Sequence, residues 1–544
     1  MTRGTAIVDP ITLEVLRHAL SAVAEEMNAN LIRSAYSPNI KERRDCSCAV
    51  FDKRGRMVAQ AESIPVHLGA MPFSVAAAIS KTDTFHPGDV IVLNDPYCGG
   101  AHLPDITFIA PVFVAEELFS FVASRAHYAD VGGKEPGSVA GDTTEIYQEG
   151  LRIPPIRLWR EGRLDQDLAD IILLNVRTPV ERMGDLRAQH AACETGIRRV
   201  QALASRFGSG LLESGMEAIM DYSERRMRAQ IAQISDGTAS YEDCLDGDGI
   251  TDDQIPIRAS VTIDGETVRV DFTGTSPSVA GPVNAVYAVT ASATYFAIRA
   301  LTDADIPPND GCYRPIEIVA PPGSVVNADP PAPVVGGNLE TSQRIVDVIL
   351  GAFSKLCPQR VIAACQGTMN NVTIGGVSPR TGEPYTVYET IGGGFGARPS
   401  SDGVDGVHSH MTNTLNTPIE ALESAYPLRV ERYELIRGSG GDGRYRGGLG
   451  IRRDITIIDH TARVSLLTDR RRSRPYGLNG GDSGRAGKNM LIRDGVETPL
   501  PEKGTVTVCA GETVSLQTPG GGGYGSAAKR DEQAIKRDRR EERI

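Results

Sequence analysis

The hydrophobic positions of this chain change period several times, and each change marks an element. After Asp9-Pro10, the residues Ile11, Val15, Leu16, Leu20, Val23, Met27, Leu31 and Ile32 recur at helical spacing. Residues 10 to 36 are therefore expected to form a helix, with Asp9-Pro10 as its start signal. Short β-rich runs follow at Cys48 to Phe51 and Met57 to Ala59, around the turn Asp52-Lys53-Arg54-Gly55. A helix is expected near Met71 to Ile79, and a buried strand at Val90 to Leu93 after the turn Pro87-Gly88-Asp89. Ile106 to Val114 and Leu118 to Ala123 are apolar runs separated by the short polar break Ala115-Glu116-Glu117, which is the pattern of a β-hairpin. Residues 160 to 233 read as mostly helical, with Arg-rich faces.

The pattern changes again near Ser235-Asp236-Gly237. Strand alternation runs through Val261 to Phe272, with Asp264-Gly265 as a hairpin turn. Helical spacing returns at 283 to 301 and 341 to 356, and Gly-rich loops occur at Gly336-Gly337 and Gly392 to Gly396. From about 428 to Leu516 the chain is strand- and turn-rich, and after Gly525 it carries dense charge of both signs. A chain of 544 residues exceeds a single core. The expected fold is α/β and β-rich multidomain. An α/β domain with a metal site spans 1–235, a mixed α+β domain with Gly-rich loops spans 236–427, a β-rich C-terminal domain spans 428–525, and a frayed tail or exposed helix spans 526–544.

Composition narrows the function classes. A net charge of -12 argues against a nucleic-acid surface. No window approaches the ~20 apolar residues of a membrane span, and Met1 to Pro10 lacks the apolar centre of an export signal. Nine Cys, an odd number at irregular spacing, make no disulfide framework, and Cys46-Ser47-Cys48 has no second pair for a zinc knuckle. The expected compartment is the cytoplasm.

The candidate chemistry is concentrated in two His-x-x-Asp pairs, His102/Asp105 and His127/Asp130, placed just before and just after the expected hairpin. A hairpin returns its second strand to the start of its first, with partners about 5 Å apart. Two imidazoles and one or two carboxylates should then converge, a set suited to Zn²⁺, Mn²⁺ or Fe²⁺. Asp45, in Arg43-Arg44-Asp45-Cys46, is a further candidate carboxylate. His408 and His410 form His-x-His, and on a strand both would face one side. No Walker loop and no nucleophile elbow is present. The run at 392–396 reads as a tight loop, although its amides could receive an anion.

Several segments together resemble the hydantoinase B / 5-oxoprolinase family, and the related subunits of acetone and acetophenone carboxylases. They are Asp9 to Val15, Asp45-Cys46-Ser47, Asn94-Asp95-Pro96-Tyr97 with Gly99 to Asp105, Gly392 to Arg398, Pro427 to Glu431, and the closing Gly-rich run. The resemblance covers nearly the whole chain. It implies a hydantoinase A-type partner subunit that uses ATP-Mg²⁺ to phosphorylate a carbonyl oxygen of a cyclic amide, in a hetero-oligomer such as a heterotetramer. It implies that this chain holds the metal through His102, Asp105 and His127, with Asp45 as fourth ligand, and opens the ring. Asp95 and Asp130 are then expected around the ligands, Asp130 orienting His127. Arg398, His408 and His410 are expected to hold anionic groups of the substrate. A ketone carboxylase is the alternative activity.

Overall fold

The first long helix forms where its apolar spacing and cap place it, in a computed structural model that describes residues 8–61 and 63–544. Most of the segment expected to lack an export signal lies outside the described residues. Helix α1 (Pro10–Ser34) is capped by the Asp9 carboxylate, which accepts the amides of Ile11 and Thr12. Its buried stripe begins at Leu16 and continues through Leu20, Val23, Met27 and Leu31. Ile11 is 78% exposed, so the first turn projects beyond the core.

A short helix, α2 (Pro38–Lys41), leads into the main sheet. Its strands are β1 (Cys46–Asp52), β2 (Met57–Gln60), β3 (Val90–Leu93), β4 (Asp105–Val114), β5 (Glu117–His127), β6 (Ile156–Arg160) and β7 (Arg163–Leu164). The order is β2-β1-β5-β4-β3-β6-β7, and every pairing is antiparallel. Helix α3 (Pro65–Lys81) covers one face, where Leu68, Met71 and Val75 meet Ala49, Phe51, Ile91, Ile109 and Phe121. On the other face α1 packs with α4 (Gln166–Leu174), α5 (Pro179–Phe207) and α6 (Ser209–Ile231) over Val50, Phe108, Ala110 and Val122. With both faces covered, the strands read as continuous apolar runs rather than as alternation. The expected hairpin is β4–β5, turned at Ala115 and Glu116, both at positive φ.

A second sheet, β11-β10-β9-β8, is built from β8 (Gly237–Leu245), β9 (Ile255–Asp264), β10 (Thr267–Asp271) and β11 (Ile316–Val319). Helices α7 (Tyr287–Arg299), α8 (Asp310–Tyr313) and α9 (Ser342–Leu356) accompany it, and a π-turn at Gly337–Thr341 opens α9. The largest apolar core runs without a break from Leu16 to Leu467, so these elements share the core of the first sheet.

The remaining elements are β12 (Asn371–Val377), β13 (Pro384–Glu389), α10 (Ile419–Ala425), β14 (Leu428–Leu435), β15 (Ile451–Ile457), β16 (Ala462–Leu467), β17 (Lys488–Arg493), β18 (Val496–Pro499), β19 (Lys503–Val508) and β20 (Thr513–Gln517). They form two sheets, β13-β12-β16-β19 and β14-β15-β20-β17-β18, around a separate core.

The Gly-rich runs are a packing device. The Gly394 amide bonds Pro519 O (3.0 Å), Ala397 bonds Gly522 O (2.9 Å), Gly448 bonds Phe395 O (2.8 Å) and Gly521 bonds Gly448 O (2.9 Å). A Cβ on Gly394 would lie 2.1 Å from both Gly448 O and Gly521 N. These amides are spent between backbones, which removes them as an anion cradle. The charged tail is also more ordered than a frayed end. Its helix α11 (Glu532–Arg540) buries Asp538, and Arg530 bridges Asp538 to Asp402 at 2.5 and 2.8 Å.

Candidate metal centre

The root of the β4–β5 hairpin carries the cluster. Asp105 and His127 are the terminal partners of the ladder. The His127 amide also bonds Asp45 O (3.0 Å), which joins the root to the start of β1. Asn94 fixes the loop before β4. Its side-chain amide donates to Leu103 O (2.7 Å) and Leu151 O (2.9 Å), while its oxygen accepts the Ile153 amide. His102 is thereby held one turn ahead of Asp105.

All three side chains are buried. Asp105 Oδ1 lies 3.0 Å from His102 Nε2 and 3.2 Å from His127 Nδ1. One ligand atom from each of His102, Asp105 and His127 falls within 4.8 Å of the others. His102 Nδ1 faces Val335 O at 3.3 Å. A carbonyl only accepts, so Nδ1 is the donor in this contact and Nε2 is the atom turned toward Asp105. Burial works against charge on Asp105, but His102 and His67 beside it hold its carboxyl well below the usual range. His102 Nε2 therefore faces an anionic oxygen at 3.0 Å. His102 Nε2, Asp105 Oδ2 and His127 Nε2 are all buried without a hydrogen bond. Burial lowers the His127 pKa, which favours the neutral, ligating ring. This donor set fits a divalent transition cation, which would give the unpartnered buried atoms a partner.

Sequence reading missed His67. It lies in the first turn of α3, with Nε2 3.3 Å from Asp105 Oδ2 and 3.7 Å from Asp45 Oδ1. Pro65, a helix-start residue, was the available signal, because it begins the helix six residues before Met71 and turns His67 inward. Asp45 lines the same cavity but reaches the cluster only through His67, and its other oxygen lies 3.8 Å from Arg43. Tyr388 stacks on His127, with centroids 4.4 Å apart and planes at 14°, and Arg43 covers Tyr388 at 4.8 Å. The enclosed cavity is about 20 Å³, bounded also by Asn338, Met369, Met411 and Thr412. That is room for about one water.

Glu149 supports His102 indirectly. It is buried, and it accepts the amides of Val334 (3.1 Å) and Val335 (3.0 Å) and the hydroxyl of Thr143 (3.1 Å). Burial pushes its pKa up to about 8. It thus pins the carbonyl that orients His102.

Other expected residues sit elsewhere. Asp130 does not orient His127. Its carboxylate accepts the amides of Gly132, Gly137 and Arg177 and pairs with the Arg177 guanidinium at 2.8 Å, tying a loop whose amides have no ladder partner. Asp95 caps Tyr97 and pairs with Arg152 at 2.9 Å, away from the ligands. His408 and His410 do not share a strand face, because the segment is irregular and His410 has φ +56. His408 approaches Thr414 Oγ1 (3.5 Å), behind the metal cavity, and burial drops its pKa to about 3. His410 turns to Asp347 (3.3 Å) and, with Arg398, lines a different and larger cavity.

A family model described as Hydantoinase B/oxoprolinase matches residues 9–527. The chain is 39% identical to 5-oxoprolinase 1 of Arabidopsis thaliana, over 96% of this chain but 42% of that protein's length. It is 34% identical to a protein assigned as a D-/L-hydantoinase subunit in a Pseudomonas strain, covering 98% of this chain and 92% of the other. The crystal structure of the ATP-dependent caprolactamase from Pseudomonas jessenii superposes with a TM-score of 0.91 at 31% identity, covering 98% of this chain and 94% of that one. No helix among the described residues is long and apolar enough to cross a membrane.

Proposed function

The chain belongs to the hydantoinase B/oxoprolinase family, and from that premise we propose that it is the metal-dependent hydrolytic subunit of an ATP-dependent cyclic-amide hydrolase. In this reading an A-type partner spends ATP-Mg²⁺ to phosphorylate the carbonyl oxygen of a cyclic amide, and this chain opens the activated ring. The observation that carries it is the convergence of His102, Asp105 and His127 at the hairpin root, where His102 Nε2, Asp105 Oδ2 and His127 Nε2 are buried without a hydrogen bond.

His102, Asp105 and His127 would hold the ion. When bound, Zn²⁺, Mn²⁺ or Fe²⁺ supplies Lewis acidity toward an oxygen of water or substrate. Val335 O fixes the His102 tautomer, and Glu149 fixes Val335. Tyr388 covers one face of His127 and excludes bulk water. His67 Nε2 lies between Asp105 and Asp45, where its N–H can bridge the two carboxylates and hold Asp105 in place for the ion. Asp45 steadies that imidazole when it is charged.

The test is turnover by the chain purified with an A-type subunit. With ATP, a lactam or hydantoin should be opened together with ADP and phosphate release. His102→Ala should lower the rate by at least about 100-fold and His67→Gln by about 10- to 100-fold. Turnover of a ketone with bicarbonate and none of any cyclic amide would assign the carboxylase activity instead.

A further inference from the structure

A second cavity, about 600 Å³ in volume, opens between the ends of α7 and α9 and the Phe395–Ser400 loop. Phe296, Leu350 and Phe395 form its apolar wall. Arg360, Arg398 and His410 bring positive charge, and no carboxylate lines it.

Arg360 is half-buried and Arg398 exposed on this wall. Arg360 has one contact to a neutral group, Gln233 Oε1 at 2.9 Å, and Arg398 lies over the Phe395 ring at 5.5 Å. Neither forms an ion pair among the described residues. His410 is a buried side chain on the same wall, held at φ +56, a conformation that non-glycine residues adopt at a cost. Burial opposes charge on it, but Cys365 and Asp347 beside it push its pKa up to about 10. Asp347 is itself matched by Arg470 at 2.8 Å, which leaves the wall with net positive charge.

We propose that this cavity is a binding site for a small organic anion with an apolar body, its charged head received by Arg360, Arg398 and His410 and its body laid against Phe296, Leu350 and Phe395. Guanidiniums read planar or tetrahedral oxyanions by paired N–H donors. A cavity of a few hundred Å³ with apolar walls and a few convergent polar groups is the usual form of a small-molecule site. The site is separate from the cavity beside His127, with which it shares no lining residue. The two lie on opposite sides of one stretch of backbone, where His410 faces the large cavity and its neighbour Met411 faces the small one. The proposal does not depend on a metal being bound.

The test is calorimetric titration of the full chain with phenylacetate, phenyl phosphate, phenylacetamide and inorganic phosphate. Phenylacetate or phenyl phosphate should bind saturably at one site, and the tighter of the two identifies the head group. Phenylacetamide, which lacks charge, and inorganic phosphate, which lacks the body, should each bind at least about tenfold more weakly. Arg360→Gln and Arg398→Gln should each weaken the better anion by about tenfold. His102→Ala should leave its affinity unchanged, which separates this site from the metal reading. Equal affinity for phenylacetate and phenylacetamide, indifference to both arginine substitutions, or no saturable binding up to about 10 mM would overturn the proposal.

Discussion

Around Asp469 and around Asp105 the chain buries ionisable groups to the same depth, but it compensates them differently. In the first cluster Asp243, Asp347 and Asp469 meet Arg344, Arg470 and Lys503, with His410 also 3.3 Å from Asp347. The pairs are Arg344–Asp469 at 2.9 Å, Arg344–Asp243 at 3.1 Å, Arg470–Asp347 at 2.8 Å and Lys503–Asp469 at 2.8 Å. This network ties α9 to the segments after β16 and at β19, and it is complete within the chain. In the second cluster Asp105 is surrounded by histidines and has no arginine or lysine within ion-pair distance among the described residues. Burying charge is costly unless it is paired. A cluster that the chain balances is part of its own stability. One that it leaves unbalanced is, in the proposed reading, a place for an ion from outside.

Four changes would break or sharpen that contrast. Asp469→Ala strands Lys503 in the interior, leaves Arg344 with Asp243 alone, and should cost about 3–5 kcal/mol in a urea unfolding measurement on metal-free protein. Glu149→Gln removes one acceptor from the Val334–Val335 amides and loosens the carbonyl that orients His102. It should weaken metal binding by about 10- to 100-fold, with little change in the unfolding of the metal-free chain. Asp105→Asn keeps the volume and removes the anion. It should cost about 1–2 kcal/mol without metal, well below Asp469→Ala, while abolishing metal-dependent stabilisation.

The smallest effect is on pH dependence. Burial opposes charge on Asp243, but Arg344 and Arg470 bring its pKa down to about 2 from 3.8. A folded-state pKa below the unfolded one stabilises the protein above the unfolded value, and that gain is lost as pH falls through the folded value. Stability should decline between about pH 4 and pH 2, and Asp243→Asn should flatten that decline in acid unfolding curves. Asp105 has the same sign of shift, so Asp105→Asn should flatten the acid limb of the metal-free protein as well.

The hairpin and its two flanking histidines were legible in the sequence because local pattern alone determines them. Apolar runs on either side of a short break fold back, and Asp105 and His127 then meet as ladder partners. His67 was not legible in the same way. It arrives on a separate helix, and nothing in Val66-His67-Leu68 distinguishes a ligand neighbour from a core histidine. Glu149 acts through backbone amides of Val334 and Val335, which are 185 and 186 residues further on, and such a contact leaves no trace in residue spacing. Asp130 was misplaced because His-x-x-Asp is a string without geometry, and the chain leaves β5 after His127 to form a loop that the Asp130 carboxylate ties. The His408/His410 expectation failed on the backbone, since alternation places two side chains on one face only in an extended strand. The Gly-rich runs are tight loops, as their composition suggests, but the packing of their backbones against each other is set by contacts far apart in the chain, such as Gly394 with Pro519.

The most direct test of the hairpin-root site is metal content by elemental analysis of the purified chain, alongside His102→Ala and His127→Ala. The account predicts about one divalent transition ion per folded wild-type chain and its loss in both variants, each still folded by circular dichroism. Folded wild type that takes up no ion from Zn²⁺, Mn²⁺ or Fe²⁺, or variants that retain the ion, would contradict it.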